Sequence, residues 1–419
     1  ELEMMDFEVS KLDIDLMVIG QVQQQRDAEN GLFGQLFSHR PAGMVGIAQA
    51  RTMIQRYLGR EITGDTTAIG WLLDDDMRVD MRAQSYLRWL PVLRDSGIDV
   101  IIGAYEGSSP NPPINGLRVQ LVDLVHNIRW LRRLPKEQLL PNRSAENNLA
   151  RMEYPDYYYD LSRKHSAHLE MPQWIEPISI TETVEGAQLR ILRMANRLLD
   201  GIPITRPLTV NTPVNPLKEV KDSVNRGGTT FILNPDTLNL TPNITARIHG
   251  HEARRSDMIW AILNRNYRGY TVKSVGFPVN HVARTPTSTD LNIVKIQGEI
   301  LGSAMYAGIS DFLSEYPKHN LNFSKEELVD VENLCTKHLH LRLTTLKKNL
   351  YRIRGLTNAL RSIDTEQNLQ PLLNQLEQCV SADNWNTILI GATALSSSEL
   401  CEFLNSLRDF ADDYAMSNI

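Results

Sequence analysis

Ile69-Gly70-Trp71-Leu72-Leu73 runs directly into Asp74-Asp75-Asp76. The apolar run has the length and composition of a buried strand. Adjacent carboxylates repel one another and form strands poorly, so the strand is expected to stop at Asp74. A divalent cation relieves that repulsion most simply. Carboxylate oxygens suit Mg²⁺ or Mn²⁺, with substrate phosphates completing the shell. In an open α/β sheet, the carboxyl edge of the strands is also where ligands bind. Taken alone, Asp-Asp-Asp reads equally as a solvated acidic turn.

The residues upstream favour the cation. Gly46-Ile47-Ala48-Gln49-Ala50-Arg51 opens a helix that reaches Leu58, and a turn around Gly64-Asp65 then leads into the strand. This order resembles the nucleotide-sugar glycosyltransferases of the GT-A fold, in which a Gly-x-x-x-Ala-Arg helix precedes a strand ending in Asp-x-Asp. The resemblance implies an α/β fold, a GT-A-like Rossmann-type mixed sheet flanked by helices. It implies a nucleotide-diphosphate-sugar donor, UDP- or GDP-linked, held through Mn²⁺ or Mg²⁺. Asp74 would contact ribose or metal, Asp76 would bind the metal on the donor diphosphate, and Arg51 would support the donor site. Asp75, between the two outer acids, is grouped with the donor contacts.

The length of 419 residues implies one large domain with a smaller one, or two domains. A chain that is 42% hydrophobic and 22% charged can bury a full core. A net charge of −6 gives no electrostatic case for nucleic acid. Cys335, Cys379 and Cys401 are widely spaced and form no metal or redox motif, so a reducing, cytoplasmic location is expected. There is no run long enough for a transmembrane helix and no signal peptide. The chain starts at Glu1 and not at Met, which is expected of excision from a longer polypeptide.

Asp13–Gly20 reads as a buried strand. The glycosyltransferases it resembles open with strand, helix and strand, so either the first strand precedes Glu1 or Asp13–Gly20 serves as it. Met81–Leu93 has helical spacing and stops at Gly97, a C-cap signal. Ile98–Tyr105 reads as a strand, and the breaker-rich Ser108–Pro113 as a loop bordering an acceptor cleft or an ordinary surface turn. Residues 117–200 read as a helical insertion, the expected seat of acceptor recognition. Its tyrosines Tyr154, Tyr157, Tyr158 and Tyr159 stack on a sugar or cap a core edge. Ile202–Pro216 reads as extended. Gly227-Gly228 enters a further strand, which the resemblance places against the reacting sugar.

A second constellation follows at His249-Gly250-His251-Glu252-Ala253-Arg254-Arg255-Ser256-Asp257. Ser256 or Asp257 is expected to cap a helix to Asn266, with Gly269 after it. Tyr270–Val275 then reads as a strand, with His281 beyond it. This succession resembles the second half of inverting glycosyltransferases, where an acid at a helix start is the general base, and it implies that role for Asp257. Arg254 and Arg255 would add positive charge for the leaving diphosphate. His281 would be a further metal ligand or a diphosphate contact. Asp257 as a mere cap, Glu252 as the base, and His249 with His251 as a metal pair are the competing readings.

The pattern changes near residue 320, dividing 1–320 from 321–419. Ser324-Lys325-Glu326-Glu327 is a capping-box start. An apolar stripe from Leu328 to Ile353 is expected to break at Gly355. Helices about Thr365–Val380 and Ser397–Met416 complete an all-helical region that packs on the first domain, forms a homo-oligomer or joins another module. The expectation is a metal-dependent glycosyltransferase of hexosyltransferase type acting on an unidentified acceptor hydroxyl. The alternatives are a nucleotidyltransferase of related fold, which would show a glycine-rich basic loop after its first strand, and a non-catalytic sugar-nucleotide-binding module.

Overall fold

The computed structural model describes residues 17–34, 46–62, 64–108, 114–153, 172–207, 213–224, 230–238, 241–248, 250–282, 293–393 and 397–416. The architecture is mixed α/β. Its strands are β1 (Gly70–Leu73), β2 (Met77–Val79), β3 (Val100–Gly107), β4 (Thr230–Leu233), β5 (Arg247–Ile248), β6 (His251–Glu252) and β7 (Val272–His281). β5 and β6 form a separate hairpin, and the other five make one sheet in the order β1-β4-β3-β7-β2. β4 is antiparallel to both β1 and β3, and β3 is parallel to β7. β1, β3 and β7 therefore run the same way, and their carboxyl ends meet at one edge.

The helices in chain order are α1 (Gln21–Glu29), α2 (Ile47–Glu61), α3 (Ala83–Leu87), α4 (Trp89–Asp95), α5 (Ile114–Leu131), α6 (Ser144–Glu153), α7 (Val184–Ala195), α8 (Pro216–Glu219), α9 (Pro235–Leu238) and α10 (Ser256–Tyr267). After them come α11 (Ile293–Glu315), α12 (Lys325–Ile363), α13 (Gln370–Val380), α14 (Ala382–Thr393) and α15 (Ser397–Met416).

Burial explains the layers. Val100, Ile101 and Ile102 of β3 are all buried, the continuous apolar run of a strand covered on both faces. One face packs Ile101, Tyr105 and Phe277 against Tyr86 of α3 and Leu93 of α4. The other packs Leu72, Val100 and Ile102 with Trp260 of α10, Leu301 and Phe312 of α11, Val331 of α12 and Leu404 of α15. A second core joins α5, α7, α11, α12 and α13 through residues such as Leu121, Ile191, Ile300, Leu343 and Leu372. Helices from both sides of residue 320 thus share both cores.

Several expectations change on contact with this architecture. Residues 13–16 lie outside the described residues, and Met17–Gly20 forms no strand but leads into α1. The Met81–Leu93 helix is two, because Pro91 has no N–H to bond back to Leu87; it is tolerated in the first turn of α4. β7 continues to His281, so this histidine ends the strand instead of following it. Its pairing with β3 jumps between Ala104 and Glu106, opposite Pro278, which cannot donate to the ladder. α12 passes through Gly355 without a break, and its Ser324 cap and Glu327 exchange the anticipated pair of bonds. α11 and α14 were not anticipated. Among the described residues no helix is long and apolar enough to cross a membrane.

Candidate active site

The site is built where α2 crosses the carboxyl edge of the sheet. The Thr52 hydroxyl accepts from Asn243 N and donates to Asn243 O, each at 2.8 Å. That exchange fixes the segment 241–246 along α2. One residue earlier, Arg51 is 8% exposed and faces the end of β1. Its Nη2 donates to both Asp74 oxygens, at 3.0 and 3.2 Å. Its Nε lies 3.0 Å from Asp257 Oδ1, which also accepts from Asn243 Nδ2 at 2.8 Å. One guanidinium therefore joins the acid that ends β1 to the acid in the first turn of α10.

Charge in this corner is finely balanced. Burial raises the pKa of Asp74. Arg51 pulls it down, and Asp257, Asp76 and Asp75 push it up, with a net rise above the ordinary carboxylate range. Asp257 sits at the amino end of α10, where the helix dipole favours an anion. It is not the cap, and neither is Ser256. The cap position is held by Arg255 in a left-handed backbone conformation (φ 76°) that non-glycine residues seldom adopt.

Asp76 lies within a turn closed by Met77 N donating to Asp74 O at 3.0 Å. Its backbone carbonyl accepts from Val282 N at 2.9 Å, just past His281. Asp76 Oδ2 lies 3.4 Å from His281 Nε2, while His281 Nδ1 lies 2.7 Å from the carbonyl oxygen of Ser108 after β3. A carbonyl only accepts, so Nδ1 carries the proton. Nε2 thus faces Asp76 Oδ2 either as the donor of an imidazolium or, unprotonated, as a second acceptor that can share a bound cation with the carboxylate. A backbone bond to the far ring nitrogen is also the usual support of a metal-bound histidine. The pair fits one side of a Mn²⁺ or Mg²⁺ shell, with water and phosphate oxygens for the rest. Among the described residues no three His, Cys, Asp or Glu side chains form a ready-made cation site.

The remaining candidates divide. Asp75 is exposed, and its carbonyl accepts from Arg78 Nη1 at 3.1 Å. Arg254 is desolvated, which lowers its pKa, and feels Glu299, Arg255 and Asp257. Arg255 turns the other way and forks onto the buried carboxylate of Glu299 on α11. Glu252 borders a separate hollow of about 230 Å³ with Gln49, Arg247 and Glu402, and His251 lies in the same hairpin. His249, the four tyrosines between 154 and 159, Gly227-Gly228 and Ser109–Pro113 lie outside the described residues. Asn243, Thr52 and Ser108 belong to the site but carry no motif; a lone Asn after Thr-Pro gives no periodic signal.

No protein family, curated protein or solved structure matches this chain.

Proposed function

We propose that this chain is a metal-dependent glycosyltransferase with a GT-A-like fold, moving a sugar from a nucleotide diphosphate to an acceptor hydroxyl. The observation that carries the reading is the Arg51 bridge from Asp74 to Asp257. It sets a donor-edge acid and a base candidate on one cation, beside the facing Asp76–His281 pair.

In this reading the donor diphosphate lies at the carboxyl edge, with Asp76 and His281 the residues that hold the metal. Mn²⁺ or Mg²⁺, when bound, neutralises charge that develops on the diphosphate. The acceptor oxygen bonds to the anomeric carbon as the bond from that carbon to the diphosphate oxygen breaks. Asp257 takes the acceptor proton, and attack opposite the leaving group inverts the anomeric centre. Among the described residues both partners of Asp257 fall on Oδ1, which leaves Oδ2 to take the proton. Arg254, close enough to feel the Asp257 charge, adds a positive centre for the departing diphosphate.

The test is turnover of UDP- and GDP-sugars with Mn²⁺, read as release of UDP or GDP. Asp257→Asn is expected to lower turnover by about 10²–10⁴, the usual contribution of a general base, with donor binding kept. Unchanged turnover removes Asp257 from the chemistry. No turnover of any donor by the wild-type chain contradicts the proposal.

A further inference from the structure

We infer a second site on the helical layer, a cationic cleft between α5 and α12 that takes a phosphate-bearing ligand. The cleft encloses about 430 Å³, within the range of small-molecule sites. Arg118, His126 and Arg129 of α5 and Arg352 of α12 line it, and among the described residues no carboxylate does. Val122 and Leu356 give it an apolar floor. Arg118 is only 3% exposed, so one charged wall is built into the protein, while Arg129 and Arg352 stand exposed at the rim.

Two further observations point to an anion there. The first is charge segregation within α12. Its residues 341–363 carry Arg342, Lys347, Lys348, Arg352, Arg354 and Arg361 and no acid, in a chain whose net charge is −6. Arg342 faces the buried Glu299, Arg354 donates to Val380 O and Arg361 pairs with Glu377, while Arg352 lines the cleft. α5 holds one acid, Asp123, and it is buried against Arg206 at 2.6 Å.

The second is Gly355. It lies inside α12, is exposed, and a β-carbon there would meet nothing within 4 Å. Among the described residues no neighbour requires a glycine there, and a glycine inside a helix costs about 1 kcal/mol relative to alanine. What its missing side chain does is leave the cleft open.

Three guanidinium groups in one cleft match a ligand carrying at least two negative charges, and their planar forks suit phosphate oxygens. A free diphosphate and a lipid with a phosphomonoester headgroup share that chemistry. Two probes separate them: pyrophosphate followed by calorimetry, and co-sedimentation with phosphatidylcholine vesicles containing phosphatidic acid or phosphatidylserine. All measurements are made in EDTA, and Asp76→Asn is included to set aside the donor edge.

Saturable pyrophosphate binding is expected, retained in Asp76→Asn. It should weaken about tenfold or more in Arg129→Glu/Arg352→Glu, which removes two charged hydrogen-bond donors. Gly355→Phe, which fills the cleft without changing charge, should weaken it as well. If the ligand is a lipid, phosphatidic acid vesicles bind in preference to phosphatidylserine ones and the same two variants abolish it. Binding to neither probe, binding that survives both cleft variants, or equal binding to the two lipids overturns the inference.

Discussion

Asp74 and Asp257 share a single guanidinium, with Arg51 Nη2 and Nε each 3.0 Å from one of their oxygens. Removing that cation leaves two carboxylates facing each other. Arg51→Met is expected to destabilise the fold by about 2–3 kcal/mol in urea unfolding. That is less than the ~3–5 for a fully buried pair, because Asp74 keeps 33% of its side-chain surface in solvent. Asp74→Asn in the same background should recover part of the loss, since it removes one orphaned charge. Full additivity of the two substitutions would show that no coupling exists.

The backbone that delivers Asp257 rests on α11. A β-carbon at Gly302 would collide with the Arg254 carbonyl oxygen, and one at Gly298 with the Glu252 carbonyl oxygen. Gly298 O also accepts from Arg254 N at 2.9 Å. Gly302→Ala should cost about 1–3 kcal/mol, the range for overpacking. It should also reduce turnover, because the segment that yields carries the left-handed Arg255 and then Asp257. Wild-type stability in thermal unfolding would contradict the close fit.

The last helix braces the first part of the site. Arg56 of α2, wholly buried, stacks on the Tyr414 ring at 3.7 Å and donates to its carbonyl oxygen, while the Tyr414 hydroxyl donates to Leu238 O at 2.7 Å. Tyr414→Ala should cost about 3–5 kcal/mol, as for other large aromatic truncations. Since Arg51 is on the same helix as Arg56, donor binding should weaken in parallel. A donor affinity that is unchanged would uncouple the two ends of α2.

Acid should act through Glu327, the cap partner of α12. Its carboxylate accepts from Lys318 Nζ at 2.6 Å and Ser324 N at 2.7 Å, and these bonds hold its pKa below the ordinary glutamate value. The folded pKa is depressed, so the stabilisation is fully present above the unfolded value of about 4.3 and is lost as pH falls through the folded one. Glu327→Gln keeps the cap geometry and removes the charge. Its melting temperature should lie below that of the wild type at neutral pH, and the gap should close on acidification below about pH 4. A gap that stays constant with pH would contradict this.

Elements with a one-sided pattern were legible in the sequence: β1 ending on its acids, β3, α2, α10 and the capped start of α12 all stand where spacing puts them. The failures have physical causes. α11 buries residues all round, among them Gln297, Gly298, Glu299, Ile300, Leu301 and Gly302, so it presents no apolar stripe to read. By its residue pattern this strand ends at Val275, before Gly276 and Pro278, yet β7 runs on to His281 and tolerates Pro278 by giving up register with β3. In the site, acids and arginines announced themselves by type and order. Asn243, Thr52 and the Ser108 carbonyl act through backbone placement, which no residue pattern encodes.

In the proposed function Asp76 and His281 hold a divalent ion together with a nucleotide diphosphate. Mn²⁺ binding followed by electron paramagnetic resonance, with and without UDP and GDP, tests it most directly. Mn²⁺ binding is expected, strengthened by one of the two nucleotides, and Asp76→Asn and His281→Ala should each weaken it about tenfold or more. Mn²⁺ binding indifferent to both substitutions, or unaffected by either nucleotide, would contradict it.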